Sequence, residues 1–314
     1  MQDTETVESV TQTQTHTFRH LVISGGGPMG FRFLGALEEL ENQQVWHLDQ
    51  IESIFGTSIG ALIGAFLCLS ASNGSVDWDT LNCYLLERPW HEAFRVTGRQ
   101  IVDSFVHKGL FGIHAIEIIL RPLLETHDLP LQVTLQQLFD FSHIDLHVCA
   151  FDVNGFETVN LSHESHGDLP VVQALAMSMA LPGLFQPVFY KQQCFIDGGV
   201  MCNFPVNYCL AQYPDPEAIL GISISSVCNS SNTPVVPESS LLEYIVALSL
   251  NAMNYIHHSV PIQSIPHMIW CPTEVNPMTL EAMQPVLQSA EVRRQWRQRG
   301  IEDARTRLWY VHTT

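Results

Sequence analysis

Three short stretches carry residues whose types and spacing suit acyl transfer. In "GTSIG" (Gly56, Thr57, Ser58, Ile59, Gly60) a serine stands in a G-x-S-x-G pattern. That pattern sets a hydroxyl on a sharp strand-to-helix turn, with small residues removing clashes and helix N-terminal amides beside it. In "SGGGPMG", Gly25, Gly26, Gly27 and Gly30 let the main chain approach a substrate closely. An acyl transfer needs N–H groups aimed at the oxyanion that forms on the attacked carbonyl. Pro28 has no N–H, so Gly26, Gly27 and Met29 are the expected donors. In "FIDGGV", Asp197 ends an apolar run and precedes Gly198 and Gly199. A carboxylate at that strand end, within reach of Ser58, could take the hydroxyl proton directly, provided burial lifts its pKa from the usual ~3.9.

The same residues admit other chemistry. Gly25, Gly27 and Gly30 also satisfy G-x-G-x-x-G, but a dinucleotide site asks for an acid at the end of the second strand, where this chain runs "IESIF" straight into the serine turn. A Ser-His-Asp triad could draw on His257 or His258, although Ser58 comes earlier in the chain than an α/β-hydrolase order allows. His163 and His166 in "SHESH" have metal-pair spacing without a third ligand, and His143 and His147 fall on one face of an expected strand.

The elements around these residues alternate. "HLVIS" (20–24) is an expected buried strand, followed by a helix with Phe31, Leu34, Leu37 and Leu40 at helical spacing. "IESIF" (51–55) is a second strand and 59–69 a second helix; the repeat of strand, glycine turn and helix points to an α/β fold with parallel strands. Residues 77–137 form an expected helical cap, with Trp90, Phe94 and Phe105 as candidate contacts to lipid. "IDLHVCAFDV" and "FETVNLS" flank Asn154-Gly155, which suits a type I′ hairpin turn. "VVQALAMSMAL" is a helix stopped by Pro182 and Gly183. "PVFY" and "CFI" form a hairpin around Lys191-Gln192-Gln193 that delivers Asp197. A strand at 218–225, a Ser/Pro loop at 229–239, an apolar helix, the strand "HMIWC" and an amphipathic helix complete the chain.

Bulk properties narrow the partners. The 314 residues carry 14 Lys and Arg against 32 Asp and Glu, a net charge of −18, and are 46% hydrophobic. Such a chain has a core but no electrostatic footprint for nucleic acid and no long-range attraction to anionic membranes. Arg293, Arg294, Arg297, Arg299, Arg305 and Arg307 crowd the C-terminal segment, where Glu291, Glu302 and Asp303 balance them as a solvated helix face. Eight cysteines sit mostly in apolar runs with no CxxC, as free thiols of a reducing compartment would. Residues 1–17 read as a disordered tail rather than a signal peptide, which implies an intracellular location, and 18–314 as a single domain. The uncharged stretch Ser53–Val76 is rich in glycine and serine and is expected as a buried helix, not a transmembrane span.

Taken in order, the glycine turn, the serine elbow and the Asp-Gly-Gly resemble the patatin-like phospholipase family. "SGGGPMG" resembles its oxyanion loop, "GTSIG" its nucleophile elbow, "DGGV" followed by "NFPV" its aspartate motif, and "SMALPGLFQPV" the block before that aspartate. The resemblance covers residues 20–225. It implies a three-layer α/β/α sandwich with a mostly parallel central sheet, and a Ser58–Asp197 dyad that hydrolyses lipid esters without metal or other cofactor. It also implies a lipid ester substrate and a transient contact with a membrane surface. The family usually has Arg or Lys where this chain has Met29, which leaves neutral acyl esters open as substrates beside phospholipids. The competing class is a patatin-like scaffold that binds lipid or protein with little hydrolysis. Residues 226–314 match no motif.

Overall fold

The structure is a computed structural model and describes residues 17–226, 233–259, 261–273 and 278–311. Of the expected tail 1–17, only Thr17 falls inside these, and 229–232 of the Ser/Pro loop lie outside.

The alternation read from the sequence holds through the first half. β1 (His20–Ile23) leads through a short 3-10 turn into α1 (Gly30–Asn42), and β2 (Ser53–Thr57) leads through Ser58 into α2 (Ile59–Ser70). β2 sits two residues later than expected, so that the strand runs directly into the serine. α2 is buried from Gly60 to Leu69, and no described helix is long and apolar enough to cross a membrane. Residues 77–137 give α3 (Trp78–Glu87), α4 (Trp90–Ala93), α5 (Gly98–His107), the unexpected strand β3 (Gly109–Phe111), α6 (His114–Thr126) and the start of α7 (Leu135–Ser142). β4 (Asp145–Asp152), β5 (Glu157–Leu161), α8 (His163–His166) and α9 (Val171–Ser178) follow. Then come β6 (Gly183–Phe185), β7 (Val188–Tyr190), β8 (Gln193–Asp197), α10 (Val206–Gln212) and β9 (Ile219–Ser226). α11 (Leu241–Ser259), β10 (His267–Thr273), α12 (Leu280–Gln288) and α13 (Ala290–Val311) end the chain.

The main sheet has the order β10-β9-β1-β2-β4-β8-β7, with β5 also on β4. From β10 to β4 the pairing is parallel; β5, β7 and β8 add antiparallel pairs. Both faces are covered, as a parallel sheet requires. Leu21, Ile23 and Ile54 join a core with α1 and α2 on one face, while Val22 and Phe55 pack with Val206 and Cys209 of α10 on the other. β3 and β6 form a separate two-stranded parallel sheet.

Three expectations need correction. Asn154-Gly155 is not a type I′ turn. Positive φ falls at Phe156, while the Asp152 carboxylate accepts from the N–H groups of Asn154 and Gly155 at 3.0 and 3.1 Å. The left-handed pair is Lys191-Gln192, with φ of 46° and 68°, and Gln193 already belongs to β8. His143 is not on a strand; it caps α7 in the left-handed conformation, so it shares no strand face with His147. The C-terminal arginines form a solvated face only in part: Arg294 and Arg299 are exposed, and Arg294 pairs with Glu291 as expected and also with Glu87. Arg293 is buried and donates to the carbonyls of Leu86, Arg88 and Val286 at 2.8, 2.9 and 2.8 Å. Arg297 pairs with Glu38, Arg305 with Glu39, and Asp303 accepts from Arg32, so α13 is clamped on α1. The acids that Arg297 and Arg305 meet lie on α1, where sequence neighbours give no hint. The Arg307 side chain lies outside the described residues.

Candidate active site

Strand register brings the Ser58 and Asp197 side chains together. β4 pairs with β2 through Cys149, opposite Thr57, and then with β8 from Ala150, opposite Asp197. Its other edge is taken by β5 over the same residues, so β2 and β8 must share one edge of β4. They run toward each other along it. The residue after Thr57 therefore meets the last residue of β8: Ser58 Oγ donates to Asp197 Oδ2 at 2.8 Å.

Ser58 has φ 53° and ψ −121°, a left-handed conformation that a side chain occupies only under constraint. The constraint is visible on both sides. Its N–H donates to Ser178 Oγ at 2.8 Å, and Ser178 in turn donates to the Cys149 carbonyl at 2.5 Å. After it, α2 starts against β1 so tightly that a Cβ on Gly60 would sit 2.2 Å from the Ile23 carbonyl oxygen. Thr57 Oγ1 donates to the Cys202 carbonyl at 2.9 Å, tying the elbow, with Gly56 and Ile59 on either side, to the segment after Asp197.

Asp197 is 2% exposed. Its Oδ1 accepts from the Gly199 N–H at 2.8 Å across a 3-10 turn that starts at Gly198. Burial pushes its pKa from 3.8 up to about 6, against the opposing pull of the Gly199 and Ser58 hydrogen bonds.

The glycine loop is sewn to the same place. Gly25 N–H donates to the Asn203 carbonyl at 3.0 Å. Met29 N–H donates to the Gly26 carbonyl at 3.1 Å, and Gly30 N–H turns back on Gly27 and Pro28. Met29 is thus not the open donor expected, because the turn that follows Gly26 uses its amide. Among the described residues, the amides of Gly26 and Gly27 are the ones in this loop left without a partner in the chain. Gly27 has φ 50°, and a Cβ there would sit 2.4 Å from Met278 Sδ.

Beside Ser58 lies a cavity of ≈ 140 Å³ with almost wholly apolar walls. Its floor follows α2 through Ile59, Leu62, Ile63 and Phe66; its sides come from Phe31, Leu34, Trp90, Phe94, Leu184 and Phe185, and α12 closes it with Met283, Val286 and Leu287. Trp90, expected as a lipid contact, is core and wall instead; Phe94 is half-buried in the wall and Phe105 is exposed.

The profile described as Patatin-like phospholipase matches residues 21–210, more than half of the chain. The chain belongs to the patatin-like phospholipase family. The match contains the glycine loop, Ser58 and Asp197, and stops before β9. Probable lipid hydrolase 463L of Invertebrate iridescent virus 6 is 25% identical over 195 residues, 60% of this chain and 62% of that protein. Lysophospholipase NTE1 of Candida albicans is 21% identical over 60% of this chain but only 12% of its own length. The chain thus spans less than two thirds of either relative. Among solved structures, VipD of Legionella pneumophila aligns with TM-score 0.45 and 15% identity, over 90% of this chain and 67% of that one.

Against the patatin-like pattern, Met29 is fully buried, and among the described residues no side-chain cation replaces the family's basic residue in the cavity walls. The polarity facing Ser58 comes from main-chain N–H groups and the start of α2. His257, considered for a triad, donates from Nε2 to the Gly199 carbonyl at 2.8 Å, and not to Ser58 or Asp197. The side chain of His258 is outside the described residues. His163 Nδ1 lies 2.7 Å from Asp145 and His166 Nδ1 bonds Ser165, so the two do not converge, and no described group of three or more His, Cys, Asp or Glu is placed to hold a metal. Ser178 and Asn203, which hold the elbow and the glycine loop, escaped sequence reading. Ser178 sits in an apolar helix as packing filler would, and Asn203 in a motif read only for its aspartate.

Proposed function

We propose that this chain is a serine acyl hydrolase of lipid carboxylic esters. Ser58 Oγ attacks the acyl carbonyl while its proton passes to Asp197 Oδ2. The carbonyl electron pair moves onto oxygen, where the Gly26 and Gly27 amides receive it. Collapse breaks the C–O bond, the departing alcohol takes the proton from Asp197, and water attacks the acyl-enzyme in reverse order to release the acid. The apolar cavity holds the acyl chain. The observation that carries this reading is the 2.8 Å hydrogen bond between a buried aspartate and a serine in a left-handed turn.

A phospholipid or lysophospholipid ester suits the family, and a neutral acyl ester suits the missing cation at Met29; both present the same carbonyl. The test is turnover of p-nitrophenyl acyl esters and of mixed lipids by the chain, Ser58→Ala and Asp197→Asn. Loss of at least ~10³-fold in both variants is expected. Full activity in either variant, or lipid binding without any acid release by the parent chain, refutes it.

A further inference from the structure

α5 is built inside out. Ile101, Val102, Phe105 and Val106 share one side of the helix and are 48, 68, 68 and 71% exposed, and none of its residues is buried. Its polar residues Gln100, Asp103 and Ser104 are the half-buried ones. An amphipathic helix this short has little stability alone and normally turns its apolar side to a core.

Two observations indicate what covers it. The first is charge. Both lysines of this strongly acidic chain lie here: Lys108 caps α5 with its Nζ 6.0 Å from the centre of the exposed Phe189 ring, and Lys191 follows β7. Arg95 and Arg99 are exposed at the start of the same segment, and Asp103, the one acid between Glu92 and Glu117, pairs with Arg99 at 3.4 Å, which leaves Arg95 and both lysines as the unbalanced charges. Cations around an apolar side match phosphate above acyl chains. A second copy in a two-fold contact would set the same cations against each other. The second is position. Phe94, just before α5, lines the cavity, and β3, just after it, pairs with β6, whose Leu184 and Phe185 also line it. α11 packs on β6 of this small sheet, at Gly183, and carries a second exposed apolar stripe of Leu241, Tyr244, Ile245 and Leu248.

We infer that α5 is a docking surface for a phospholipid bilayer, with its apolar side chains entering the acyl layer and Arg95, Lys108 and Lys191 meeting the phosphates. Docking does not depend on the chemistry at Ser58. The test is flotation with phosphatidylcholine–phosphatidylglycerol vesicles in a Ser58→Ala background, where no lipid is consumed. The Ser58→Ala chain is expected to float. Adding Val102→Asp and Phe105→Asp is expected to lower the bound fraction about tenfold, and Lys108→Glu with Lys191→Glu several-fold. With Ser58 intact, both pairs should keep their turnover of a short soluble ester. Absence of flotation by the Ser58→Ala chain, or flotation unchanged by both pairs, overturns the inference. So does a dimer in solution that the Val102/Phe105 pair dissociates. Failure of the intact chain to cleave any ester would refute the hydrolase reading and leave docking standing.

Discussion

Asp197 must be ionised to accept a proton, and burial works against that. With its pKa raised to about 6, activity is expected to climb as pH rises through about 6 and then level off; a rate that is flat from pH 4 to pH 8 would contradict the assignment of Asp197 as base. The stability effect has the opposite sign. The folded chain keeps a proton on Asp197 between the unfolded value of ~3.9 and about 6, so stability is lost as pH rises across that window. The shift from 3.8 to about 6 corresponds to about 3 kcal/mol at ~1.4 kcal/mol per unit. Asp197→Asn should therefore be inactive yet at least as stable as the parent chain at pH 7 in urea unfolding, with the advantage shrinking toward pH 4. At Ser58 the φ of 53° costs a non-glycine residue about 1 kcal/mol or more. Ser58→Gly should accordingly unfold at higher urea than Ser58→Ala, since both lose the hydroxyl and only glycine relaxes the turn.

Among elements, the clamp of α13 on α1 depends on two close approaches. A Cβ on Gly300 would sit 1.8 Å from the Arg32 carbonyl oxygen, and one on Gly35 would sit 2.1 Å from that of Arg297. Helix propensity alone favours alanine over glycine by about 1 kcal/mol. Gly300→Ala is nevertheless expected to destabilise by about 1–3 kcal/mol, because neither helix backbone can yield without breaking the Arg297–Glu38 and Arg305–Glu39 pairs. A gain in melting temperature would show that the helices are not packed this way. The elements around Ser58 were legible because period, glycine and length agree there. Both hairpins were legible too, but their turns were not: Asn-Gly carries the stronger type I′ preference, yet the loop around Asn154 has four residues and is organised by Asp152, whereas Lys191-Gln192 is the true two-residue connection. Loop length, set by strand pairing, outweighed residue preference.

Across the molecule, the strands and helices of the last third were mostly legible, but not their part in completing the site. β9 and β10 extend the sheet, and α12 closes the cavity over α2. Neither follows from a local motif, because both act through contacts distant in sequence. The cavity follows α2 from Ser58 to Phe66, ~12 Å of helix at ~1.5 Å per residue, which sets the reach available to an acyl chain. Leu62→Trp, halfway along, is expected to lower turnover of long-chain esters relative to short-chain ones at least ~10-fold, and an unchanged ratio would mean that the chain lies elsewhere. The claim on which the rest depends is that a reactive hydroxyl at position 58 is served by the carboxylate at 197. Its most direct measurement is reaction with a fluorophosphonate followed by peptide mass spectrometry. A single adduct on Ser58, absent from Ser58→Ala and strongly slowed in Asp197→Asn, is the result expected; an adduct on another residue, or equal labelling of Ser58→Ala, would contradict it.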